Sequence, residues 1–161
     1  MSLADAAAPK FPVKLDYLCA YTARLSPPEV IGPLAGGIRV NFYILGGEID
    51  GPKLRGKLRG VGGDWLTIRD DGVGILDVRT TMESHDGAVI EVEYTGVGDL
   101  GPDGQARFLN GDLPTVLPLR CIPRVRTAHS DYAWLNRLQL LNVGEVNFST
   151  LEVRYDVYAV R

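Results

Sequence analysis

Cysteine and histidine are scarce in this sequence, with two of each in 161 residues. Cys19, Cys121, His85 and His129 make none of the close spacings that build a structural zinc site. No metal and no cofactor are therefore expected. Each cysteine sits inside an apolar strand pattern, which reads as a free buried thiol in a reducing compartment. Also missing is any run of the ~20 apolar residues that a membrane helix requires. Residues 1–9 lack the basic start and long apolar centre of a signal peptide. The cytoplasm is the expected location, and Asn147-Phe148-Ser149 then carries no weight as a glycosylation pattern. A cationic excess is lacking too: 17 Lys and Arg face 20 Asp and Glu, for a net charge of −3. That argues against nucleic acid, because phosphate binding needs concentrated positive charge. One local exception is Lys53, Arg55, Lys57 and Arg59, which alternate and so share one strand face. They read as a solvated outer face, with a phosphate- or carboxylate-binding stripe as the alternative.

What is present is strand. Nineteen Gly and ten Pro punctuate the chain, and no long amphipathic helix appears. Residues 14–25 alternate with period two, placing Leu15, Tyr17, Cys19, Tyr21 and Ala23 on one face. Further strand patterns cover 38–45, which Gly46-Gly47 should break, then 53–61, 65–69, 74–83, 88–97, 116–126, 138–143 and 151–160. The stretch 98–114 reads as a loop, a lid or an idle excursion. Asp131–Arg137 reads as one short helical turn.

Short turns between about eight or nine strands favour a single antiparallel up-and-down β-barrel, all-β and lipocalin-like. Residues 1–13 are expected to form a flexible N-terminal segment and 14–161 the one barrel domain.

Five motifs resemble a known family. They are Gly46-Gly47 followed by Gly51-Pro52-Lys53-Leu54-Arg55-Gly56; Gly62-Gly63-Asp64-Trp65; Asp77-Val78-Arg79; Glu83 with Asp86-Gly87-Ala88; and Tyr132-Ala133-Trp134-Leu135-Asn136. In this order, from about residue 14 onward, they resemble an uncharacterised bacterial and fungal domain-of-unknown-function family. The resemblance implies a lipocalin-like barrel close in shape to allene oxide cyclase. It implies no established activity and supplies no catalytic residues to carry over. Thr80 departs from the pattern, where an aromatic, often Tyr, is expected. If that position lines a pocket, the cavity here is wider or more polar.

Three polar-aromatic clusters mark the ends of strands, where barrel sites form. In the first, Asp64 could act as acid or base beside the flat wall of Trp65. Turn and core roles are the alternative. In the second, Arg79 and Glu83 share a strand face with Asp77 and Thr81. An inward face would make Arg79 an oxyanion or carboxylate anchor and Glu83 a proton carrier. Simple alternation instead turns Leu76, Val78 and Met82 inward and leaves surface ion pairs outside. In the third, Asp131, Tyr132, Trp134 and Asn136 could read a ligand's shape. They could equally cap the helical turn and plug the barrel end. Ser84-His85-Asp86 is no catalytic triad, because chain neighbours cannot form that relay.

The expected function is small-molecule binding, with cofactor-free acid–base chemistry on a small carbonyl or carboxylate compound. Isomerase, cyclase or hydratase/lyase chemistry fits. Glu83, Asp64 and Arg79 would be catalytic, and Trp65, Asp131, Tyr132, Trp134 and Asn136 ligand-binding. The alternatives are a non-catalytic lipocalin-like binder and a structural subunit without a ligand. A homodimer or higher homo-oligomer is expected in each case.

Overall fold

Alternating side chains build nearly every element. Along Val116–Arg126 each residue switches between buried and exposed without a break. A half-buried strand does this because successive side chains point to opposite faces. The computed structural model describes residues 8–161. Residues 1–7 of the expected N-terminal segment lie outside the described residues. From Lys14 the chain is in the sheet: its backbone N–H and C=O pair with Arg161 at 3.0 and 2.8 Å.

Ten strands follow: β1 (Leu15–Leu25), β2 (Glu29–Leu34), β3 (Gly37–Asp50), β4 (Gly56–Leu58), β5 (Gly63–Ile68), β6 (Val73–Ser84), β7 (Val89–Asp99), β8 (Val116–Arg126), β9 (Leu140–Asn147) and β10 (Glu152–Val160). All pairings are antiparallel. β1 pairs both β10 and β3, which closes the sheet into a barrel of eight staves. β4 and β5 share one stave between β3 and β6, and β2 is an extra strand on β3. Helix α1 (Gly104–Leu109) lies in the β7–β8 connection, and a 3-10 helix (Ser130–Arg137) lies between β8 and β9. Among the described residues no helix is long and apolar enough to cross a membrane.

Four local expectations are corrected. β3 runs straight through Gly46-Gly47. These glycines do not end the strand; they let β1 close against it. A Cβ on Gly47 would sit 1.7 Å from the Thr22 carbonyl oxygen. The 53–61 run yields only three residues of strand. Its cations do face solvent, pairing as Arg55–Asp50 and Arg59–Glu83 at 3.1 and 2.9 Å. The 98–114 loop contains α1. Leu15 and Tyr17 both face outward, because a register shift between Tyr17 and Cys19 adds Leu18 to the inner face.

The barrel interior is the core, with Val40, Ile68, Ile90 and Ala159 fully enclosed. Leu135 of the 3-10 helix plugs one end, which holds the β6–β7 turn; Phe108 of α1 packs at the other.

Candidate functional site

β5 brings a carboxyl to an otherwise apolar end of the barrel interior. Its residues alternate around Asp64, Leu66 and Ile68, which line a cavity of about 50 Å³ at the α1 end of the barrel. Leu76, Leu119, Val146 and Val153 add to the wall, and Phe108 and Phe148 come from the connections at this end. Among the described residues, Asp64 is the only polar side chain in the lining. Burial among these groups pushes its carboxyl up to about 7. The Asp77 backbone N–H opposes that shift, donating to Asp64 Oδ1 at 3.0 Å, and nearby Arg39 opposes it as well. The Asp77 charge adds to it.

A polar layer crosses the middle of the barrel. Tyr21, Tyr94 and Tyr155 are buried there, Tyr21 on the inward face that alternation gave it. Their rings touch in tilted and edge-on pairs with centroids 5.4 and 5.8 Å apart. Asn142 Nδ2 donates to the Tyr21 hydroxyl at 2.9 Å, and Cys121 Sγ meets the Tyr155 hydroxyl at 3.4 Å. Burial holds all three phenols well above their ordinary range. Asn142 is fully enclosed, yet its Oδ1 has no partner among the described residues. A second cavity of about 30 Å³, lined by Tyr21, Asn142, Trp134 and Leu135, lies toward the 3-10 helix. Sequence reasoning passed over Asn142. The available signal was an amide at an inward position of an otherwise apolar strand.

The remaining expected site residues lie apart from Asp64. Glu83 and Arg79 sit on the outer face of β6, in register with Val89 and Glu93. Arg59 bonds Glu83 Oε2 through Nε at 3.0 Å and holds its carboxyl below its usual range. Alternation, not the inward reading, describes this strand. The resemblance-based inward reading fails because Leu76, Val78, Thr80 and Met82 fill the barrel side. Thr80 is buried and spends its hydroxyl on the Val61 carbonyl at 2.9 Å. Trp65 follows Asp64 on β5 and points away from the cavity.

The third cluster is tied up in the 3-10 helix and its neighbours. The N-cap is His129, whose Nδ1 accepts the Asp131 N–H at 3.3 Å, so Asp131 is not the cap. Tyr132 donates to Asp86 Oδ1 at 2.7 Å, which pins the helix to the β6–β7 turn. Both ends of the Asn136 amide are used by the Thr127 backbone, at 2.9 and 2.8 Å. Trp134 donates to the Asp131 carbonyl and borders the second cavity. The cluster closes that end of the barrel.

The family described as "Protein of unknown function (DUF3237)" matches residues 13–160. An uncharacterised UPF0311 protein of Rhodopseudomonas palustris is 33% identical over 147 residues, covering 89% of this chain and 94% of that protein. Among solved structures, a conserved protein of unknown function from the same species has a TM-score of 0.83 at 28% identity, over 94% of this chain and 100% of that one. A protein described as an enzyme from Penicillium herquei has a TM-score of 0.69 at 18% identity, over 97% and 100% of the two chains. That last likeness concerns the fold alone.

Proposed function

The chain belongs to the DUF3237 family, and we propose that it binds a small, neutral, mostly apolar carbonyl compound and moves a proton on it with Asp64. One observation carries the reading: a single carboxyl, pushed up to about 7, stands alone in an apolar cavity. A carboxyl titrating near neutrality can both give and take a proton at working pH. Isomerisation serves as the example. The Asp64 carboxylate takes a proton from the carbon between a carbonyl and an alkene. The freed electron pair spreads over the dienolate, and Asp64 returns the proton to the far alkene carbon. No electrons are gained or lost overall.

The lining also narrows the substrate. Among the described residues it contains no cation, and Arg79 lies outside, so none of them would anchor a carboxylate there. A substrate with a neutral carbonyl suits it better. The cavity of about 50 Å³ is close to the volume of two waters. A substrate therefore enters by displacing Phe108 or Phe148 at the mouth. The likeness to a barrel described as an enzyme lends support at the level of the fold.

The test follows a β,γ-unsaturated cyclic ketone as it converts to its conjugated isomer, read by ultraviolet absorbance. Asp64→Asn should lower the rate by about 10²-fold or more, the scale of a lost general acid–base group. The wild-type rate should change through about pH 7. An equal loss in Glu83→Gln, or none in Asp64→Asn, would overturn the assignment. Binding of the ketone without turnover would mark the barrel as a carrier.

A further inference from the structure

On one side of the barrel the apolar-in, polar-out pattern fails. In the middle of β6 and β7 the outward positions are charged or polar: Asp77, Arg79, Glu91, Glu93 and Thr95 are all outside, only Glu93 is partly covered, and the outward apolar residues Ile75, Val89 and Val97 lie toward the strand ends. On β9 the outward positions Leu141 and Val143 are as apolar as the inward Leu140 beside them. β10 contributes Tyr158, β1 contributes Tyr17 and β8 contributes Ile122. These residues form a row. Tyr17 is in register with Tyr158, and Tyr158 with Leu141. The two tyrosine rings lie 5.8 Å apart. Tyr17 and Ile122 remain 42% and 56% exposed, though a strand apolar on both faces is normally covered on both.

The adjacent row gives this face a sign. Arg120, Val143 and Asp156 are in register across β8, β9 and β10, with Val143 at the centre. Neither Arg120 nor Asp156 makes a salt bridge among the described residues. A shallow depression of about 400 Å³ runs between them.

We propose that the outer face of β8, β9, β10 and β1 is a homodimer interface with its two-fold axis along β9. Such an axis stacks the two sheets face to face. Leu141 and Val143 meet their own copies, and Tyr158 meets Ile122 of the partner subunit. Asp156 meets Arg120 of the partner subunit, and symmetry makes that pair twice. A second copy is the occupant because opposite charges flank the central apolar residue at equal distance. This row is thus its own complement in charge. A partner of one sign would leave one of the two charges opposed. The proposal is independent of the chemistry at Asp64.

Sedimentation velocity over a concentration series tests it, with thermal melts to confirm folding. The wild type should dimerise, and Leu141→Glu should give monomer. Arg120→Asp and Asp156→Arg should each weaken the dimer about tenfold or more. The double swap should restore most of that loss, which no general effect on folding would do. A wild type that stays monomeric would overturn the proposal. So would a dimer indifferent to Leu141→Glu, or a double swap no tighter than the single ones.

Discussion

The Asp64 carboxylate accepts the backbone N–H of Asp77 at 3.0 Å. It does so where the β5–β6 ladder lapses, between the Asp64–Val78 and Thr67–Ile75 partners. A side-chain oxygen there takes the place of a ladder carbonyl, so the backbone donor is satisfied without regular pairing. The bond favours the ionised carboxyl, but the apolar cavity wall outweighs it. Strand geometry and proton chemistry thus meet at one residue.

The first prediction concerns stability against pH. The folded state holds the Asp64 carboxyl at about 7, above the ordinary ~3.9 of an unfolded chain. Folding therefore favours the neutral form. The stability this contributes is complete below about pH 4 and is lost as pH rises through about 7. The full loss is on the order of 4 kcal/mol. Urea unfolding of wild type should weaken across that window, and Asp64→Asn should remove this part of the slope. The amide keeps an oxygen for the Asp77 N–H, so the variant should still fold. Parallel pH profiles for the two proteins would show that Asp64 is not buried in the way described.

The second prediction concerns the mouth of the cavity. Phe108 projects from α1 into the lining. Gln105 of the same helix also reaches the barrel, donating to the Ile68 carbonyl at 2.8 Å and to Asp70 at 3.3 Å. Phe108→Ala should enlarge the cavity at a cost of about 2 kcal/mol. That is less than the 3–5 kcal/mol of a fully buried Phe, because Phe108 is half-buried. Benzene should then raise the melting temperature of the variant more than that of the wild type. An equal response would mean that Phe108 does not limit access.

Period two was enough to read the barrel and the inward Tyr21, and its plain alternation turned Arg79 and Glu83 outward, against the inward reading that made them catalytic candidates. It could not show that Tyr17 turns out, because one extra residue in a strand reverses the face. Nor could it show why Gly46-Gly47 permits a strand to continue, since that depends on the close approach of β1, distant in sequence. Asp64 was legible as a carboxyl beside an aromatic. Its real neighbours are Leu66, Leu76 and Phe42, brought together by barrel closure. Trp65, next to it in sequence, is on the other side of the wall. The Tyr132–Asn136 motif looked like recognition because its residues are polar and aromatic. The hydrogen bonds of Tyr132 and Asn136 go to Asp86 and Thr127, while Trp134 borders the second cavity.

The third prediction separates two members of the polar layer. Tyr21→Phe removes the acceptor of Asn142 Nδ2 and leaves a fully enclosed amide with neither end bonded. Leaving a buried group unsatisfied costs about 1–3 kcal/mol. Replacing both partners, Tyr21→Phe together with Asn142→Leu, removes the amide with its Oδ1 and leaves no hydroxyl without its donor. The double variant should therefore be more stable than Tyr21→Phe alone by about 1 kcal/mol or more. Guanidinium unfolding of the single and double variants checks the order. A double variant less stable than Tyr21→Phe would mean that the amide holds the layer together through another contact.

The fourth prediction uses the thiols as reporters of the interior. Cys19 and Cys121 are free and buried, and burial pushes them up to about 12 and about 11. At pH 8 about one Cys19 in ten thousand is then thiolate, the form that attacks disulfide reagents. Labelling by an aromatic disulfide should therefore wait for unfolding and accelerate with added urea. Cys121 sits in the polar layer, bonded to Tyr155, rather than in the cavity lining. Phe108→Ala should thus open the mouth without speeding its labelling. Rapid labelling of that variant in the absence of urea would mean that the polar layer does not close the floor of the cavity, and that Asp64 shares its chamber with a reactive thiol.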